Sequence, residues 1–303
     1  MSKRLSPQDI LGPMRIPFLL LPPICVALGI GTAYWRTGDT NWFYAVLAII
    51  GAISSHISVN AFNEYYDAKS GLDERTEKTP FSGGSGTLQA NPQARQAALR
   101  TAWISFIIPT LIGVYFFIVR GVMIIPLGIL GLIIIYLYTN EITKNWFFSL
   151  ITPGLGFGIL WVTGTDFVLT GSYSMTAFIA SLVPFFLVNN LLLLNQFPDA
   201  EADKTVGRAH LPIRIGNRAS AKVYIAFLVL AYSAMILGVL LGYLPRWPLL
   251  GLLTMPLAFV TGKGVVENAN DIPELIASLG QNVILNLLTP LLMAIGLFIA
   301  GAK

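Results

Sequence analysis

Nine stretches of this chain stay apolar for about the length a helix needs to cross a bilayer, roughly 20 residues. They cover residues 16–34, 43–66, 98–118, 121–138, 147–166, 174–197, 222–243, 247–262 and 280–300. Hydrocarbon offers no water to satisfy backbone amides, so a segment that spans it must be a helix or a strand of a closed barrel. Runs of this length predict helices. The expected fold is an all-α integral membrane protein, with about nine transmembrane helices in a single bundle and one domain over 1–303. Only 11% of the 303 residues are charged, against about 25% in a soluble domain. The short turns at Arg120–Gly121 and Leu244-Pro245-Arg246 predict antiparallel neighbours. Lys3 and Arg4 precede a first run that no small-residue cleavage site closes, so it reads as a retained helix rather than a signal peptide. The single cysteine, Cys25, sits in that run and reads as a small buried hydrophobe.

Charge fixes an expected orientation. When the loops are assigned alternately to two sides, fifteen of the nineteen Lys and Arg fall with the N-terminus, among them Arg15, Lys69, Arg95, Lys144, Arg208 and Arg214. The positive-inside rule makes that side cytoplasmic. The two longest loops, 67–97 and 198–221, lie there and are expected to cap the bundle. The net charge of +4 is therefore a matter of topology. No basic stripe with interleaved aromatics is present, which argues against a nucleic-acid partner.

Each cap loop opens on an acidic motif. In the first, His56, Asn60, Asn63 and Asp67 fall within about 60° of one another at helical spacing, and Gly71 lets Asp73 turn back toward them. A polar stripe on an apolar membrane helix must face a cavity or partners. Amide and carboxylate oxygens are hard donors of the kind Mg²⁺ prefers, with water and phosphate completing the shell. Hydrogen-bonded helix glue is the competing reading, and it is strongest for His56 alone. In the second motif, Asn195, Asp199 and Asp203 recur at i, i+4 and i+8, with Pro198 as a kink or a helix start, and Glu201 pointing away. Lys204, Arg208 and Arg214 follow at once. Carboxylates interleaved with cations suit a polyanion held partly through metal and partly by direct contact. The loop Thr79–Thr87, with Ser82, Ser85 and three glycines, can present backbone N–H groups to an anion. It is no Walker A loop, because no Lys-Ser/Thr follows Gly86. Tyr136, Tyr138 and Lys144 end the fourth helix on the same side.

Two such motifs in a nine-helix chain resemble the UbiA superfamily of intramembrane prenyltransferases over essentially the full length. Asn60-x-x-Asn63-x-x-x-Asp67-x-x-x-Gly71-x-Asp73 and Asp199-x-x-x-Asp203 with Gly207-Arg208-x-x-Leu-Pro-Ile-Arg214-Ile-Gly216 are most similar to the 1,4-dihydroxy-2-naphthoate, or menaquinone, branch. The family often carries Asn-Asp where this chain has Asn63-Glu64, so Glu64 ranks below Asn63 and Asp67 as a ligand. The resemblance implies two Mg²⁺ ions, a polyprenyl diphosphate donor, an aromatic acceptor, a lateral opening for the lipid tail and a bacterial inner-membrane location. On that reading Asn60, Asn63, Asp67, Asp73, Asn195, Asp199 and Asp203 are the metal set. Arg15, Ser85, Lys144, Arg208 and Arg214 face the diphosphate. His56, Tyr136 and Tyr138 face the prenyl or aromatic groups, and Asp67, Asp199, Lys144 and Tyr138 are the catalytic candidates. Within the superfamily, 4-hydroxybenzoate or homogentisate transferases and terpene cyclases are the alternatives. An ion-coupled transporter is disfavoured, because its charges belong near the midplane at broken helices. A phosphatidyl-type alcohol phosphotransferase would need a compact Asp-Gly…Ala-Arg motif that is missing here.

Overall fold

The computed structural model describes residues 5–72, 75–76 and 79–302, and among these all regular structure is helical. Eight helices are long and apolar enough to cross a membrane: α1 (Ile16–Thr37), α2 (Trp42–Ser70), α3 (Pro92–Arg120), α5 (Trp146–Thr170), α6 (Met175–Thr205), α7 (Asn217–Leu240), α8 (Trp247–Glu267) and α9 (Ile272–Gly301). The fourth expected span forms an apolar but shorter helix, α4 (Val122–Leu137).

Local sequence sets the ends. Asn41 caps α2 by accepting from the Tyr44 N–H at 3.1 Å, and Asn145 caps α5 through the Phe147 and Phe148 N–H groups. Ser174 and Asp271 do the same for α6 and α9. Such caps satisfy amide donors that a helix leaves orphaned at its start. Pro198 neither ends nor begins a helix: α6 runs through it to Thr205, so the whole second motif is carried on one membrane helix.

Helix α6 lies at the centre, with α1, α5, α7 and α9 packed on it, while α2 pairs with α3 and α9 with α1. Most of α3 faces outward, with Ile104, Leu111 and Ile118 exposed where lipid would lie. Close approach of α5 to α6 depends on Gly158: a Cβ there would stand 2.5 Å from the Phe185 backbone nitrogen. Beside it, Leu155–Thr163 forms a π-helix rather than an α-helix. At the end opposite the motifs, Arg36 pairs with buried Asp166 at 2.7 Å. Arg120 caps the end of α5 through the Val168 and Leu169 carbonyls.

Candidate active site

One cavity of about 690 Å³ runs through the bundle. On α2 its lining extends from Ala48 to Asp67, about 28 Å of helix at 1.5 Å per residue. That is close to the full hydrocarbon thickness. One end is polar and is built by α2, α6 and the cap loops. The rest is apolar, bounded by Ile112, Phe116, Leu127, Ile135 and Val168 among others. Val114, Phe117 and Ile129 belong to the α3–α4 wall and are themselves exposed, so lipid flanks this side.

The polar end is assembled from four sequence-distant pieces. The stripe on α2 holds the N-terminal segment: the Asn60 amide donates to the Met14 carbonyl at 3.1 Å, and Arg15 donates to Asn63 Oδ1 at 3.1 Å and to Glu64 Oε1 at 2.8 Å. Arg15 adopts a left-handed backbone, φ 51°, which turns its guanidinium into the cavity wall. Glu64 is buried and serves as an anchor. Its Oε1 also accepts from the Ser85 N–H, and its Oε2 accepts from the Ser85 hydroxyl, both at 2.7 Å. Ser85 therefore ties the glycine-rich loop down, and Ser82, Gly83 and Gly84 line the cavity next to it. Phe81 reaches across to Gly280 on α9, closing the roof.

The two motifs meet through Arg208. Its guanidinium hydrogen-bonds Asp67 on α2 and Asp203 on α6, the latter at 2.8 Å. His210 Nδ1 lies 2.9 Å from the other Asp203 oxygen. The loop carrying both residues docks on the 138–145 turn, where the Ala209 N–H donates to the Thr143 carbonyl at 2.9 Å. Burial alone would lower the Arg208 pKa, but the adjacent Asp67 and Asp203 outweigh it and raise the value above its ordinary level. A buried charge is tolerated only with partners of this kind.

The polar end offers oxygen donors of the kind a divalent cation takes. Arg15 accounts for Glu64, and Arg208 for Asp67 and Asp203. Asp199 forms no ion pair among the described residues; Ser82 and the Gly83 backbone hydrogen-bond its carboxylate. Its Oδ1 is buried without a hydrogen-bond partner, as is Asn195 Oδ1 one turn deeper. Orphaned buried oxygens of this type call for a ligand. Among the described residues no three His, Cys, Asp or Glu groups converge on one point. An ion here would draw on carboxylate and amide oxygens together with water and phosphate. With that provision the residues fit a hard divalent ion.

Of the expected site residues, Arg15, His56, Asn60, Asn63, Asp67, Tyr138, Asn195, Asp199, Asp203 and Arg208 line this one cavity. Three do not. Lys144 is exposed and pairs with Glu141 at 3.0 Å. Arg214 lies over the Trp146 ring, 5.0 Å from its centroid. Tyr136 stands in an outer groove with Trp103 and Phe106. By sequence, Tyr136 and Lys144 end the fourth helix on the motif side, and Arg214 follows the second motif, but these local surroundings hold all three side chains outside the cavity. Ser85 acts on Glu64 instead of lining the cavity, and Asp73 lies outside the described residues. Phe157, Trp161 and His210 also line the cavity. For Phe157 and Trp161 the sequence held no signal, since aromatics on an apolar run are ordinary.

A model of the UbiA prenyltransferase family matches residues 20–271. The chain is 29% identical over 246 residues to the 1,4-dihydroxy-2-naphthoate octaprenyltransferase of Bacillus subtilis, covering 80% of this chain and 78% of that one. It is 25% identical over 300 residues to the Haemophilus influenzae protein of the same name, covering 95% and 94%. Its fold is similar to that of a UbiA homolog from Archaeoglobus fulgidus bound to GPP and Mg²⁺, with a TM-score of 0.66 at 16% identity over 96% of this chain and 99% of that one. With two motif-bearing helices facing across one intramembrane cavity and a family match over most of its length, this integral membrane transferase belongs to the UbiA prenyltransferase family.

Proposed function

We propose that the protein transfers a polyprenyl group from its diphosphate to 1,4-dihydroxy-2-naphthoate. The observation that carries the reading is the polarity of this cavity: polar and acidic at one end, mainly apolar for the remaining depth of the membrane. A polyprenyl diphosphate has the same polarity profile along its length. The naphthoate acceptor is supported by relatives of that name that align along most of the chain.

Asn63, Asp67, Asn195, Asp199 and Asp203 would hold Mg²⁺, one ion for each motif. When bound, the metal neutralises the charge that develops on the departing diphosphate. Arg208 sits between the motifs and can share that charge, as can Arg15 at the cavity wall. The roof of Phe81, Ser82, Gly83 and Gly84 separates the reacting carbon from water. Tyr138 lines the cavity beside the motifs, where its ring face can stabilise an allylic cation. The electron-rich ring then attacks and its carboxyl leaves as carbon dioxide. The Lys and Arg bias supports a cytoplasmic orientation for this end of the bundle, and a bacterial inner membrane is the proposed location.

The test is purified protein with Mg²⁺, a polyprenyl diphosphate, and a panel of dihydroxynaphthoate, hydroxybenzoate and homogentisate, with products identified by mass. The expected product is a prenylated naphthalenediol that has lost carbon dioxide. Prenylation of another ring alone, or a cyclised hydrocarbon without acceptor, would reject the proposed acceptor.

A further inference from the structure

Most polar side chains of the cavity belong to its acidic end, but His56 stands apart. It lies seven residues before Asn63 and eleven before Asp67 on α2, which places it about 10 and 16 Å deeper. Its imidazole lines the cavity and makes no hydrogen bond among the described residues, and its Nδ1 is buried without a partner. Two rings of α5 flank it. Phe157 meets it edge-on, with centroids 5.0 Å apart and planes at 84°. Trp161 lies 6.4 Å away, and Phe157 and Trp161 touch each other at 4.2 Å. All three side chains line the cavity and are only half-buried although they sit inside the bundle.

The backbone explains why the rings point there. Phe157 and Trp161 lie on the π-helical segment Leu155–Thr163, a widened turn of the sort that recurs at functional sites. Its other face is pressed against α6: Gly154 and Gly158 have backbone of Phe185 where a side chain would go. Asn189 Oδ1 accepts the Gly154 N–H at 2.6 Å. Anchored on that side, the segment turns Phe157 and Trp161 toward His56.

An isoprenoid tail gives an imidazole no hydrogen bond, and a diphosphate would be held two to three turns higher. A flat ring with a phenolic hydroxyl meets every feature. Its faces and edges pack on the aromatic pair, and its O–H donates to an imidazole nitrogen. The vertical offset leaves room for the diphosphate and the first prenyl carbon above it. We propose that His56, Phe157 and Trp161 form the subsite for the aromatic acceptor, with His56 accepting a hydrogen bond from a ring hydroxyl. This inference rests on the prenyl-transfer function proposed above. It separates the acceptor from the tail, which the apolar α3–α4 wall receives.

The test compares wild type with His56→Phe, which keeps a ring but removes the nitrogens, and with His56→Gln, which restores a hydrogen-bond acceptor. Binding of the dihydroxy ring and of its methyl ether is read by quenching of tryptophan fluorescence, which requires no turnover. Binding of a non-hydrolysable prenyl diphosphate is titrated separately. Wild type should favour the free hydroxyl over the ether by on the order of tenfold. His56→Phe should lose that preference, His56→Gln should regain part of it, and the donor analogue should shift less than twofold in both. A preference that survives in His56→Phe, or equal weakening of donor and ring, overturns the subsite. If wild type binds the ring with this preference but transfers no prenyl group, the function proposed above fails while the subsite stands. If transfer proceeds and His56→Phe binds free and methylated rings as wild type does, the subsite fails while the function stands.

Discussion

Asp199 carries a carboxylate oxygen for which the folded chain supplies no donor, while Asp67 and Asp203 share one guanidinium. Ser82 and the Gly83 backbone also bond the Asp199 carboxylate, so the asymmetry lies in the missing ion pair, and all three carboxylates stay within the proposed metal set. Exchanging Asp67 or Asp199 for Ala should lower prenyl transfer roughly 100-fold or more while gel filtration in detergent still shows a folded protein. Lys144 provides the contrast. It is exposed and paired with Glu141, and ion pairs of that kind contribute little. Lys144→Ala should leave the donor KM within twofold of wild type; a large rise would bring Lys144 back to the diphosphate. Glu64 shows how much a neighbour decides. By sequence it is a doubtful ligand beside Asn63. In the fold its two oxygens are taken by Arg15 and Ser85, so it holds the roof over the cavity.

Among the elements, α5 is the most specialised. It is closely packed against α6 on one face and changes to π-helical winding on its way past the cavity. The tight face makes the two glycines unequal to their neighbour Gly156, whose Cβ would meet nothing within 4 Å. Gly158→Ala should cost about 1–3 kcal/mol through overpacking, measured as a lower thermal midpoint in detergent. Gly156→Ala should leave the midpoint unchanged, and equal effects would refute the packing account. Helix α6 carries the opposite lesson. Pro184 and Pro198 both sit inside it without ending it. A proline inside a membrane helix is tolerated when neighbouring groups satisfy the carbonyl it frees.

For the molecule as a whole, the two motifs lie at one end, and the positive-inside rule makes a cytoplasmic location for that end the expectation to test. Cys25 is buried, so single introduced cysteines can report sidedness. Asp39→Cys should react with a membrane-impermeant maleimide in intact cells, and Glu141→Cys only after permeabilisation; the reverse would invert the topology. The helical class was legible in the sequence, because a run of apolar residues in hydrocarbon has few backbone solutions. So were the two motifs: Asn63, Asp67, Asn195, Asp199 and Asp203 share faces by helical phase, and they do converge on one cavity. Residues outside those faces were less readable. Lys144 shares the motif end of the bundle and Arg214 follows the second motif, yet the 138–145 turn and the Trp146 ring hold them outside the cavity. The Arg208 bridge and the His56–Phe157–Trp161 cluster join helices that are far apart in the chain, and the Glu64 anchor joins α2 to the N-terminal segment and the glycine-rich loop. What the sequence determined by itself was therefore periodic: membrane helices and which face of each is polar. What only the tertiary structure decided was which side chains complete one another, because partnership depends on distances between helices that spacing along a single helix does not contain.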